Sequence, residues 1–173
     1  MNDTLRKLQA ANPALNILSV QDAAFKRYGV CHTRYDPAEM IARAKAILPQ
    51  SDAVMYEPSV LALEEPCAFN TAIIQEVYGG MPTQVGWCYG KNVQMAGLEY
   101  HKGAEIDVCI TDAILLVGHV QDIDFGEMRY DTKKVAAFYA PAGSVVELST
   151  WNLHFAPIHA HQGGSFATLV YLP

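Results

Sequence analysis

The sequence has little positive charge. Twelve Lys and Arg stand against 18 Asp and Glu, for a formal net charge of −6, and no basic run is longer than Lys133-Lys134. A nucleic-acid partner is therefore not expected, because binding to a phosphate backbone rests on clustered Lys and Arg. No stretch approaches the roughly 20 apolar residues of a membrane-spanning helix. The opening Met1-Asn-Asp-Thr-Leu-Arg-Lys7 is not followed by the apolar core of a secretory leader. Neither a membrane partner nor export is expected. The four cysteines, Cys31, Cys67, Cys88 and Cys109, form no CxxC pair, and such scattered thiols suit packing roles in a reducing cytoplasm. Internal repeats and low-complexity segments are also missing. What remains is a globular composition. Hydrophobic residues make up 51% of 173 positions and charged ones 17%, enough for one sizeable core, with or without a helical appendage.

The first eighty residues read as a helical segment with extended interruptions. Asp3 to Ala11 forms a short helix stopped by Asn12-Pro13. Asp36-Pro37-Ala38-Glu39 is a helix start, with Asp as cap, Pro at the first position and Glu at the third. Met40, Ile41, Ala44, Ile47 and Leu48 then recur at helical spacing up to Pro49, and Phe69, Ile73, Ile74 and Val77 form a second stripe ended by Gly79-Gly80. Val54 to Tyr56 reads as a strand. From Met81 to Pro173 the period shortens to two. Strands are predicted at 85–89, 93–101, 105–110, 113–120, 135–140, 144–149, 153–156 and 166–172, separated by turn residues such as Pro141-Ala-Gly143 and Gln162-Gly-Gly164. Many short strands of this kind predict a mostly β fold: a small barrel or jelly roll over 81–173, with the helical segment 1–80 packed outside it.

The chemistry concentrates in Glu99-Tyr-His101-Lys-Gly103-Ala-Glu105, joined some fifty residues later by His154. Glu99 and His101 share a strand face. Glu105 cannot reach the same point along a straight strand, since four residues span roughly 13 Å. A turn over Lys102-Gly103-Ala104 would return Glu105 alongside His101. Mixed nitrogen and oxygen donors suit a first-row divalent metal. The plainer reading of this hairpin is a two-faced antiparallel sheet with its polar side in solvent. Glu147, set among Val145, Val146 and Leu148, is either solvent-facing or an acid or base of the site. His159 and His161 read as part of a solvated loop before Gln162-Gly-Gly164, and His32 and His119 as structural. Tyr89 and Tyr100 serve in packing or could stack on a sugar.

The hairpin, followed by Pro141-Ala-Gly143 and His154, resembles the cupin motifs. The usual first motif is His-x-His, three or four residues, then Glu. Glu99 occupies the place of its first His, His101 matches the second and Glu105 the Glu. In the second motif, Pro-x-Gly-x-x-His, Pro141 and Gly143 match, Val146 replaces the His, and His154 follows eight residues later. Phe25-Lys-Arg-Tyr-Gly29, Tyr78-Gly-Gly-Met-Pro82, Thr111-Asp-Ala-Ile-Leu-Leu-Val-Gly118 and Tyr130-Asp-Thr-Lys-Lys-Val135 extend the resemblance across nearly the whole chain, to a bacterial cupin-type family of unknown function. Members of that family often run somewhat past the Leu172-Pro173 end, so a shortened chain is expected. The hairpin is also similar to the metal-binding hairpin of cupin sugar isomerases. The resemblance implies a divalent metal (Zn, Mn, Fe or Ni) on His101, Glu105 and His154 with Glu99 as fourth ligand. It implies aldose–ketose isomerisation or epimerisation of a small sugar; by their position in the sequence, Glu147 or Lys102 would move the proton. A binding or regulatory cupin without chemistry is the alternative. The expected partners are a small polar substrate and a second copy of the chain in a cytoplasmic homodimer.

Overall fold

In the computed structural model, which describes residues 2–173, Asn2 caps the first helix. Its side-chain oxygen accepts from the Thr4 and Leu5 amides at 2.8 and 3.3 Å, supplying partners that first-turn amides otherwise lack. Helix α1 (Asp3–Ala11) ends at Asn12, and β1 (Ile17–Ser19) and β2 (Gly29–His32) follow. Asp36 accepts from the Ala38 amide at 3.0 Å and introduces α2 (Ala38–Ile47), which stops short of Pro49. Next come β3 (Met55–Glu57), α3 (Leu61–Glu64) and α4 (Ala68–Ala72), the last continued by a π turn at Ile73–Val77. The second half is β4 (Gln84–Gly90), β5 (Glu105–Cys109), β6 (Ala113–His119), β7 (Ile123–Asp124), β8 (Arg129–Tyr130), β9 (Ala136–Ala140), β10 (Val145–Leu148), β11 (Asn152–Leu153), β12 (Ile158–His159) and β13 (Phe166–Leu172).

The strands form two main sheets. One has the order β2-β10-β5-β13-β4-β3; the other has the order β1-β9-β6-β11, with β12 also on β6. Their inner faces meet in a shared core, where Leu115, Val117 and Phe138 pack with Cys109, Val146 and Leu148. Helices α2 to α4 cover the outer face of the six-stranded sheet, burying Met40, Leu63, Phe69 and Ile73 against Trp87, Ile106, Val108 and Tyr171. Each such side chain contributes roughly 1.5–3 kcal/mol on removal from water. Asn70 pins this layer. Its amide donates to the Leu63 and Glu65 carbonyls at 2.8 and 3.0 Å, and its oxygen accepts from the Tyr171 hydroxyl at 2.8 Å.

The mostly β architecture agrees with the sequence, and three details do not. Among the described residues the sheets are separate ladders, not a closed barrel. The strand expected over 93–101 is irregular and pairs only through a single bridge, Glu99 with His154. The reason is saturation. β5 is hydrogen-bonded to β10 on one edge and β13 on the other, leaving no edge for a hairpin with the preceding segment. Finally, β1, β2 and β3, all from the first eighty residues, pair with β9, β10 and β4. The N-terminal segment thus adds strands to both sheets as well as the outer helices.

Candidate metal centre

The site is held together by backbone pairing before any side chain meets. The Glu99 amide donates to the His154 carbonyl at 2.8 Å, and the His154 amide donates to the Glu99 carbonyl at 2.9 Å. Residues paired in this way stand side by side, so the irregular 91–101 segment is fixed where His154 needs it. The His101 and His154 rings then lie 5.2 Å apart. Donor atoms of Glu99, His101 and His154 all fall within 4.8 Å of one another. Glu105 enters from β5 on the opposite sheet. Its Oε2 stands 3.1 Å from His101 Nε2 and 3.6 Å from His154 Nε2. Two donors bonded to one ion at about 2.1 Å are separated by roughly 3.0–3.4 Å; the His101–Glu105 spacing lies in that range, which is also that of a hydrogen-bonded pair, and the His154–Glu105 spacing lies just outside it. His154 Nδ1 is buried with no hydrogen-bond partner. The donor set fits a divalent metal.

Exposure falls from rim to floor. Glu99 is exposed and His101 half-buried, while Glu105, His154 and Asp107 are buried. They border a cavity of about 300 Å³. Its floor is Asp107, Cys88 and Thr168, and its walls include Phe155, Pro157 and Val170. The 156–157 wall is tied down by Asn92, whose amide donates to the Ala156 and Pro157 carbonyls at 3.0 and 3.1 Å.

Burial would raise the Glu105 carboxyl, but hydrogen bonds from His101 and His154 hold it at about 2. The Glu105 partnership raises His101 against the opposing effect of its burial. Asp107 has no cation beside it. Burial, together with the Glu105 charge, pushes its carboxyl well up, and burial pushes the Cys88 thiol to about 12.

The structure brings Glu99, His101, Glu105 and His154 together and leaves the two expected proton carriers elsewhere. Glu147 was expected to face the site. In register it stands opposite Ile106, whereas Leu148 stands opposite Glu105. Side chains alternate across a sheet, so Glu147 lies on the helix-covered face with Val145, where its Oε2 is 2.8 Å from His32 Nε2. Lys102 is exposed and does not line the cavity; its ammonium lies 5.3 Å from the centre of the Tyr100 ring. His159 and His161 also stay outside the cavity. His159 Nδ1 accepts from the Asn92 amide at 3.1 Å, and His161 Nε2 is 3.1 Å from Asp112 Oδ2. Tyr89 packs edge-on against Trp87. Two residues of the site were not singled out from the sequence. Asp107 carried a signal, its two-residue spacing from Glu105. Asn92 carried none, since its partners lie 64 and 65 residues away.

The two packed sheets thus carry histidines and carboxylates that gather at one cavity. Residues 17–173 match the family described as domain of unknown function DUF4867, and the chain belongs to that family. No curated protein matches it. Among solved structures, AviO1 from Streptomyces viridochromogenes is 14% identical with a TM-score of 0.53, covering 86% of this chain and 92% of its own. An oxidoreductase of the 2OG-Fe(II) oxygenase family from Burkholderia pseudomallei is 13% identical with a TM-score of 0.52, covering 91% and 92%. A cupin superfamily protein from Desulfitobacterium hafniense is 8% identical with a TM-score of 0.40, covering 74% and 84%. At these identities the first two likenesses speak to the fold alone.

Proposed function

We propose that this protein is a metal-dependent cupin enzyme that moves a proton next to the carbonyl of a small hydroxy-carbonyl compound, as in isomerisation or epimerisation. The observation that carries the reading is the convergence of Glu99, His101 and His154 within 4.8 Å, with Glu105 against both imidazoles, at the side of a 300 Å³ cavity. His101, His154 and Glu105 would hold the ion, with Glu99 at the exposed rim as the fourth ligand. When bound, a divalent ion polarises a carbonyl oxygen and stabilises the negative charge that develops there. The chain supplies the rest. Phe155 and Pro157 line one side with apolar surface, and Asn92 keeps that wall in place. Asp107 takes the part expected of Glu147, because it is the floor carboxyl that faces the cavity. Exchange of a substrate C–H proton with solvent deuterium, tested over a panel of hydroxy-aldehydes and hydroxy-ketones with added Mn, Fe, Ni or Zn, checks this directly. Metal-dependent exchange that disappears in Asp107→Asn is the expected result.

The second reading is a binding module without chemistry. It is favoured by the orientation of Glu147, which leaves the cavity with no proton-transfer group beyond the acidic cluster itself. Ligand binding without deuterium exchange is its signature.

A further inference from the structure

We infer that the substrate of this cavity is uncharged and carries an apolar flank, so that sugar phosphates and dicarboxylates are excluded. The inference rests on the proposed function for the role of the cavity.

Among the described residues no Lys or Arg lines the cavity, while Glu99, Glu105 and Asp107 all do. Recognition of a phosphate or carboxylate depends on a paired cation, above all a bidentate Arg. The nearest lysine in sequence, Lys102, sits over the Tyr100 ring. The imidazoles of His101 and His154 both face Glu105. A divalent ion would not create a surplus of positive charge, since Glu99 and Glu105 match its two charges. An anionic substituent on the substrate would therefore meet Glu99 and Glu105 with no lysine or arginine to pair with, an unfavourable arrangement. The rest of the lining is apolar. Val54, Phe155, Pro157 and Val170 offer hydrocarbon surface along one side of the cavity, and Val54 and Phe155 are 41% and 38% exposed in the free protein. Walls of this kind, with a few converging polar groups, suit a ligand that is polar at one end only.

The test compares two probes that differ by one charge, α-hydroxyacetophenone and its para-carboxylate. Both are titrated calorimetrically into the purified full chain, with manganese and without it. Metal binding is measured separately on the same material. The neutral probe is expected to bind about tenfold more tightly or better, a difference of about 1.4 kcal/mol. Val54→Lys, which places a cation at the rim, should narrow that gap. Equal or tighter binding of the carboxylate to the wild type overturns the inference, as does failure of both probes to bind. If no metal binds but the neutral probe still wins, the metal reading fails and the charge selectivity stands.

Discussion

Glu99 and His154 exchange both backbone hydrogen bonds, at 2.8 and 2.9 Å, although 55 residues separate them. This one bridge joins an irregular segment to the strand-rich half and sets two donor side chains next to each other. A metal bound there would cross-link the 91–101 segment, β5 and the 150s loop. Binding to the native state alone adds RT ln(1 + [L]/Kd), about 2.7 kcal/mol at 100 times Kd. Thermal melts with and without Mn or Zn should show a metal-dependent rise in Tm for the wild type, abolished in His154→Ala. His101→Ala should behave in the same way.

The pH dependence of the metal-free protein follows from the His101–Glu105 pair. Glu105 is depressed from 4.5 to about 2 in the fold, so its contribution is present above 4.5 and is lost as pH falls towards 2. His101 is raised from 6.5, so its contribution is complete below 6.5 and is lost as pH rises through the raised value. Their joint contribution is therefore largest between pH 4.5 and 6.5. Denaturant titrations across this range should give a stability maximum that flattens in Glu105→Gln.

Asp107 has the opposite linkage. Its folded carboxyl is raised well above 3.8, so ionisation favours the unfolded chain increasingly as pH rises above that value. Asp107→Asn removes this cost and keeps a group able to donate to Glu105. Unfolding at pH 7 without metal should require more denaturant in this variant than in the wild type, while the difference disappears near pH 3.

Much of this architecture was legible because caps and periods are local. Asn12-Pro13 stops α1, Pro49 follows α2, and the alternation of Phe166 to Leu172 became β13. Part of the donor cluster was legible too, since Glu99 and His101 stand two residues apart and so share a strand face, and the fold brings both beside His154. What the chain could not reveal is relational. Parity shows that Val145 and Glu147 share a face, but which face is inward depends on the pairing of β10 with β5, a property of two distant segments. The expected strand over 93–101 failed for a similar reason: its β-like pattern is real, but both edges of β5 are taken by other strands.

Glu147 offers a clean control. Its partner is His32 at 2.8 Å, on the face covered by helices. Glu147→Gln should cost about 1 kcal/mol of stability or less, as expected for a partly exposed polar pair. Metal binding and probe binding should be unchanged, and calorimetry on the variant checks both.

Asn92 is the test of the wall. Losing its two side-chain hydrogen bonds to Ala156 and Pro157 leaves two carbonyls short of a partner, at about 1–3 kcal/mol of stability. Asn92→Ala should also weaken neutral-probe binding, while metal binding, whose donor side chains Asn92 does not hydrogen-bond, should change less.

The central claim is that His101, Glu105 and His154 form one metal centre. Elemental analysis of protein purified without chelator, wild type beside His154→Ala, tests it most directly. The expected result is close to one divalent ion per chain in the wild type and a large loss in the variant. A wild type that neither retains nor takes up a divalent ion, or a variant that binds it equally well, would contradict the claim.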